Sequence, residues 1–266
     1  MKFKHHMPTK IISVVNQKGG VGKTTTAINL ASYLAYFNQK TLLVDIDPQA
    51  NATSGLGINH KQLDQNIYHA IIAQTPVDKI ILGGAEDRLH LAPSGSALAG
   101  ANIELVDHPE REFRLKSLIQ TLSGYDYIII DCPPSLGLLT INGLVAAEEI
   151  LIPIQAEYYA LEGLGQLLET INLIKEHLKP DLNILGALIT MYDKRTLLAR
   201  EVLAELQKYF PDKILKSVIP RSIRLAEAPS YGQPILNYDA TSAGALAYHE
   251  LAQEILQIHA ARDAVN

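Results

Sequence analysis

The chain reads as an α/β protein built on a mostly parallel, twisted sheet flanked by helices on both faces. Short apolar runs alternate with helix-length segments along its whole length, the pattern of strand–helix units. Several of those runs are apolar throughout, as parallel strands covered on both faces are. Three of them end in a glycine loop or in aspartates, where open parallel sheets place their ligands. The unbroken alternation favours one large domain over residues 1–266, with 1–9 as a short N-terminal extension, although 266 residues would also allow two.

The first strand is Ile11-Ile12-Ser13-Val14-Val15, and Thr26 to Ala35 reads as a helix. Between them lies Asn16-Gln17-Lys18-Gly19-Gly20-Val21-Gly22-Lys23-Thr24-Thr25. Strand, glycine loop and Gly-Lys-Thr at a helix start are the context of a phosphate-binding P-loop. Gly19, Gly20 and Gly22 let the backbone turn and bring its N–H groups close to an anion. The helix beginning near Lys23 adds its positive end. Lys23 is expected to reach the β- and γ-phosphate oxygens, and the Thr24 hydroxyl to ligate Mg²⁺, with Val21 and Thr25 completing the cradle. The usual pattern wants glycine five places before Gly22, where this chain has Gln17, and Lys18 is an additional cation.

The next strand, Thr41 to Asp45, runs into Asp47-Pro48, and Tyr127-Ile128-Ile129-Ile130-Asp131 repeats that design before Cys132-Pro133-Pro134. Both acidic ends can converge on the P-loop. Asp131 fits the Mg²⁺-holding role at a strand end, and Asp45 and Asp47 are candidates for supporting the metal and positioning the attacking water. Asn51 to Asn59, rich in Gly, Asn, Ser and Thr, is expected to be a mobile loop near the nucleotide. Further strands are expected at Leu89 to Pro93, Ile150 to Ile154, Ile184 to Ile189 and Leu215 to Pro220. Helices are expected at Glu110 to Leu122, Gly163 to His177, Leu197 to Tyr209 and Ala243 to Ala261. Leu164, Leu167, Leu168, Ile171 and Ile174 recur at helical spacing and mark a core-facing stripe.

Composition excludes several classes. The 47% hydrophobic content supports a sizeable core. A single cysteine, Cys132, excludes an internal disulfide and suits a reducing cytoplasm. The first residues lack an apolar signal region, and no run approaches the ~18 apolar residues of a membrane span. The nine histidines show no metal-ligand spacing. A net charge of −5 lowers the expectation of nucleic acid binding, but its distribution matters. Residues Thr190 to Arg224 hold eight bases and four acids, a local +4. Such a face can hold phosphates with salt-sensitive affinity.

The Lys18-Gly19-Gly20-Val21-Gly22-Lys23-Thr24-Thr25 loop resembles the deviant Walker A motif of ParA/MinD-type ATPases. Asp45-Ile46-Asp47-Pro48-Gln49, Asp131-Cys132-Pro133-Pro134-Ser135, Glu157 to Gly163 and Val218-Ile219-Pro220-Arg221 are similar to that family as well. The resemblance runs over nearly the whole chain and is strongest to the chromosomal partition branch called Soj or ParA. It implies an ATP- and Mg²⁺-dependent ATPase in which Lys18 crosses an ATP-dependent homodimer interface to the partner's phosphates. It implies that Asp47 orients the hydrolytic water and Asp45 supports the Mg²⁺ shell. By position, Arg195 and Arg224 match the family's contacts to nonspecific double-stranded DNA, with Arg221 a weaker addition. The resemblance further implies a ParB/Spo0J-type centromere-binding partner that stimulates hydrolysis. Met191 and Pro220, near strand ends, are candidates to flank the adenine. A cytoplasmic, nucleoid-associated protein without a membrane partner is expected.

Departures separate this chain from other relatives. One cysteine cannot build the Fe–S cluster of nitrogenase iron proteins or Mrp-type carriers. MinD-type proteins carry a basic membrane-surface helix, whereas Glu250 to Asp263 is amphipathic but weakly basic, so its stripe is expected to pack on the core. About ten residues before the first strand are too few for the DNA-reading helix-turn-helix of larger plasmid partition ATPases. A MinD-like regulator of division-site placement and a nucleotide-gated regulator of a replication initiator remain the alternatives.

Overall fold

β1 (Lys10–Val14) lies in the interior of the sheet, and the chain leaves it straight into the glycine loop. In the computed structural model, which describes residues 8–73, 75–83, 88–157, 162–193, 195 and 197–264, Val14 is the register partner of Asp131 on β5 (Tyr127–Asp131). On its other edge β1 pairs with β6 (Glu149–Gln155). β2 (Thr41–Asp45) pairs with the far side of β5, so Asp45 and Asp131 are also register partners. β4 (Leu89–Ala92) extends the sheet beyond β2, and the two-residue β3 (Leu82–Gly83) lies antiparallel at that edge. β7 (Asn183–Tyr192) and β8 (Ile214–Pro220) extend it on the other side. Among the described residues the order is β3-β4-β2-β5-β1-β6-β7-β8, parallel except for β3, as the apolar runs predict. The ends of β1, β2 and β5 are therefore level, at the place where the strand order reverses and ligands bind in open α/β sheets.

Period-two alternation divides each central strand between two cores. On β5, Ile128 and Ile130 face one core, while Tyr127 and Ile129 face the other. The first core is covered by α3 (Ile67–Ile71), α4 (Leu98–Glu104), α5 (Arg114–Gln120), α6 (Leu138–Ala146), α7 (Glu162–His177) and α8 (Leu197–Tyr209). The second is covered by α1 (Lys23–Tyr36), α2 (Asn51–Gly55), α9 (Ile223–Glu227), α10 (Ile235–Tyr238) and α11 (Ala243–Asp263). The α7 stripe is core-facing as its spacing predicts, with Leu168 at its margin. Leu251, Ala252 and Ile255 of α11 are fully buried, so the amphipathic stripe there is indeed spent on the core.

Two expectations need correction. The Asn51 to Asn59 stretch is not a loop throughout: it begins as the short helix α2. Its composition disfavours a helix, but the Asp45 carboxylate accepts the Thr53 N–H and hydroxyl from the strand end and fixes the turn there. Glu110 to Leu122 is not one helix either. Glu110 takes a left-handed φ of 55°, Arg111–Phe113 form a 3₁₀ turn, and the α-helix starts only at Arg114. α6 was invisible to spacing because Leu138 to Ala146 is apolar almost all round, as a fully buried helix is. It packs hard on the end of β5: a Cβ at Gly143 would come within 2.7 Å of the Cys132 Sγ. Of the sequence candidates, Lys194, residues 158–161 and the side chain of Arg200 lie outside the described residues.

Candidate nucleotide site

The glycine loop is pinned at both ends. Asn16 donates to the Pro153 carbonyl at 2.7 Å and accepts from the Lys18 N–H at 2.9 Å, fixing the exit from β1 against β6. The Thr190 hydroxyl of β7 donates to the Val21 carbonyl at 2.8 Å. Gly20 and Gly22 adopt φ of 77° and 87°, which is the physical reason for glycine at those two places. No side chain caps the 14-residue α1, so its first N–H groups stay available to an anion. Lys23 is buried, and its ammonium donates to the Lys18 carbonyl at 3.1 Å. Burial pulls its pKa down, and Asp131, Asp47 and Cys132 pull it back up.

The carboxylates opposite Lys23 differ in how they are satisfied. Asp131 is fully buried, and neither of its oxygens has a full hydrogen-bond partner among the described residues. Burial raises its pKa well above the usual carboxylate range and Asp45 adds to that, while the Thr24 hydroxyl and Lys23 oppose it. Asp45 is equally buried but holds three donors: Asp47 N–H at 3.1 Å, Thr53 N–H at 2.8 Å and Thr53 Oγ1 at 2.7 Å. Burial moves its pKa up to about 6, against those hydrogen bonds. Asp47, 5% exposed, accepts the Gln49 N–H at 2.9 Å. Orphaned buried oxygens on Asp131 beside the Thr24 hydroxyl fit a hard cation. Among the described residues no cluster of three or more His, Cys, Asp or Glu could cage a metal. Mg²⁺ is held by one or two protein oxygens together with phosphates and water, and the Thr24 hydroxyl and Asp131 are two such oxygens.

Lys23, Thr24 and Asp47 open into a cleft of about 540 Å³, which the fully buried Asp45 and Asp131 do not line. Gly19, Gly20, Gly22, Lys23, Thr24 and Thr25 line its floor, with Asp47 and Gln49 at one wall. Met191 reaches it from the end of β7, in a left-handed conformation (φ 50°) that a non-glycine residue adopts only when its surroundings impose it. Pro220 does not line the cleft; it pairs with Tyr192 at the end of β8, one step away. The opposite wall comes from Asn51 and Ser54, in the stretch expected near the nucleotide, and from residues that sequence reading missed: Asn29, Pro229, Ser230 and Gln233. Only turn composition around Pro229 to Gly232 hints at the missed ones. A larger cavity, about 730 Å³, lies between β8 and α11, and no loop or carboxylate residue of the site lines it.

Lys18 and the candidate DNA-contacting arginines lie outside this buried set. Lys18 points its ammonium to Glu157 at 3.5 Å, and Arg221 reaches the same carboxylate at 3.6 Å. Arg195 pairs with Asp193 at 2.6 Å. Arg224 pairs with Glu227 at 3.0 Å and Asp239 at 3.4 Å. Arg195, Arg221 and Arg224 are 83%, 69% and 55% exposed. The three candidate arginines of that +4 segment are therefore exposed, carboxylate-paired cations.

Comparison with known proteins agrees with this geometry. Residues 9–184 match the family model described as AAA domain. The chain is 54% identical over 247 residues to the sporulation initiation inhibitor protein Soj of Bacillus subtilis, covering 92% of this chain and 98% of that protein. It is 49% identical to the chromosome partitioning protein ParA of Myxococcus xanthus, covering 93% and 88% of the two chains. Among solved structures it is similar to the cobyrinic acid a,c-diamide synthase of Mycobacterium smegmatis with bound ATP analog and magnesium. That match has 37% identity and a TM-score of 0.84, and covers 94% of this chain and 95% of the other.

Proposed function

We propose that this chain, which belongs to the Soj/ParA family of chromosome-partitioning ATPases, hydrolyses ATP with Mg²⁺ and uses the bound state to hold DNA for partition. The observation that carries the nucleotide reading is Asp131: two buried carboxylate oxygens with no full hydrogen-bond partner among the described residues, close to Thr24 and Lys23 at an uncapped helix start. A group so placed is costly unless a ligand satisfies it. An ATP analog and magnesium in a 37%-identical structure support the same ligand pair here.

In this reading Lys23 and the backbone of 19–25 bind the triphosphate, and Thr24 and Asp131 hold Mg²⁺. Held there, Mg²⁺ would supply positive charge against the phosphate oxygens. Asp47 orients a water against the γ-phosphorus, and Asp45 holds Asp47 in place through its N–H. Lys18 leaves Glu157 to reach the triphosphate of a second copy, so that ATP joins two chains. Pairing two copies brings Arg195, Arg221 and Arg224 together twice over, which makes affinity for nonspecific double-stranded DNA depend on ATP. A ParB/Spo0J-type partner would then shorten the lifetime of the DNA-bound dimer by stimulating hydrolysis. No described helix is long and apolar enough to cross a membrane. With the α11 stripe buried, a MinD-like surface anchor finds no support in that helix.

The test is Asp47→Ala with Mg²⁺ and either ATP or ADP, followed by light scattering and by DNA retention. Dimers that stay on DNA with ATP but not with ADP, and that do not turn over, are expected. DNA binding indifferent to nucleotide would overturn the DNA part of the reading, and wild-type turnover by Asp47→Ala would overturn the assignment of the water.

A further inference from the structure

Asp47 is held by a closed circuit of buried hydrogen bonds, one side of which comes from an element that none of the motifs contains. Its N–H donates to Asp45 Oδ1 at 3.1 Å. Asp45 Oδ2 accepts the Thr53 hydroxyl at 2.7 Å, and that hydroxyl oxygen accepts the Ser94 N–H at 2.9 Å. Ser94 Oγ then donates to the Asp47 carbonyl at 2.7 Å and closes the ring. Asp45, Thr53 and Ser94 are all fully buried. Ser94 follows β4, two residues past its last residue, so the circuit ties the end of β4 to the end of β2 and to the first turns of α2.

We propose that Ser94 is a positioning residue for hydrolysis: through its hydroxyl and Thr53 it fixes the peptide of Asp47, and with it the direction of the Asp47 carboxylate toward the water. The inference rests on the ATPase reading above and on the role of Asp47 there. Ser94 does not line the cleft. Its effect passes through the backbone. With the Ser94 hydroxyl removed, the Asp47 carbonyl loses one of its two donors and keeps only the Ala50 N–H at 2.9 Å. Geometric misplacement near 1 Å costs on the order of 100-fold in rate, because the oriented approach is lost while binding of the nucleotide remains.

The experiment measures steady-state ATP turnover, and separately ATP-analog affinity, for the full chain carrying Ser94→Ala, Thr53→Val or Thr53→Ser. Ser94→Ala and Thr53→Val should each lower kcat by roughly 10- to 100-fold with affinity held within about two-fold. Thr53→Ser, which keeps the hydroxyl, should restore most of the turnover lost by Val. Adding Ser94→Ala to Asp47→Ala should cause no further loss, because the group it positions is already gone. Wild-type kcat in both Ser94→Ala and Thr53→Val would overturn the proposal, as would an equal fall in kcat and affinity. Additive loss in the Asp47→Ala background would also overturn it. If Ser94→Ala does not fold, the Val and Ser variants at Thr53 decide. Should Asp47→Ala itself turn over at the wild-type rate, the underlying assignment fails, and that outcome is distinct from failure of Ser94 alone.

Discussion

The floor of the nucleotide cleft and the cationic rim beside it use the same chemistry in opposite ways. At and beneath the floor, Lys23, Asp45, Asp47 and Asp131 are all at most 7% exposed; Asp45 is held by three donors, whereas the Asp131 oxygens have no full hydrogen-bond partner among the described residues. On the rim, Lys18, Arg195, Arg221 and Arg224 are 32–83% exposed and lean on carboxylates of the same chain. A charge in a desolvated floor acts at high strength on anything that enters, whereas exposed pairs contribute only about 0–1 kcal/mol each. The floor is thus fixed before ligand arrives, and the rim is exchangeable. An anion that competes for a rim cation has little to displace.

The largest effect expected from this contrast is on the floor. Lys23→Ala removes the cation that acts on Asp131 and Asp47 from within the cleft and should weaken ATP-analog binding by 100-fold or more, as loss of a buried charge partner costs about 3–5 kcal/mol. Fluorescence titration with Mg²⁺ present checks it; binding within ten-fold of wild type would mean that the floor is less committed than its burial implies. Next comes Asp47→Ala, expected to lower kcat by roughly 10²–10⁴-fold with ATP affinity nearly kept, a split that single-turnover measurements resolve.

The same contrast explains what sequence conveyed. The P-loop and the two aspartate-ended strands were legible because their residue types are forced by local geometry: Gly20 and Gly22 need left-handed φ, and Asp45 and Asp131 stand level at register-paired strand ends. Lys18 was legible as an oddity, though its Glu157 partner was not, being 139 residues away. The wall at Ser230 and Gln233 was hidden because nothing local dictates it. It is created by α2 meeting the 228–232 turn, where a Cβ on Gly232 would come within 2.6 Å of the Gly57 Cα. Ser94 was hidden for the same reason. Charge counting failed differently: it found the bases between Thr190 and Arg224 but not Glu157, Glu227 and Asp239, which lie outside that window and pair with Arg221 and Arg224.

On the rim, Arg195→Glu with Arg224→Glu should reduce ATP-dependent DNA affinity by 10-fold or more and lower the slope of log affinity against log salt by about 1 for each phosphate no longer neutralised. Filter binding from about 50 to 200 mM salt measures both quantities. ATP titration should overlay wild type, since neither arginine lines the cleft. An unchanged salt slope would place the DNA-binding face elsewhere and break the comparison on its rim side.

The smallest expected effect sharpens it most. If the rim cations are merely shared between carboxylates and incoming phosphates, removing one carboxylate charge should strengthen DNA binding. Glu227 suits this test: its carboxylate accepts from Arg224 at 3.0 Å and from the Tyr238 hydroxyl at 3.0 Å, and Gln can keep the second bond. Glu227→Gln leaves Arg224 with one carboxylate, Asp239 at 3.4 Å. The gain should be about 2- to 5-fold at low salt, the equivalent of an exposed pair worth up to roughly 1 kcal/mol, and should vanish above about 0.5 M salt as screening takes over. A drop in affinity would carry the opposite lesson: Glu227 would be aiming the Arg224 guanidinium at the phosphate, and the rim would be as deliberately built as the floor. Comparing Glu227→Gln with Arg224→Ala and the double variant separates the two, because a competing carboxylate has no effect once its arginine is gone.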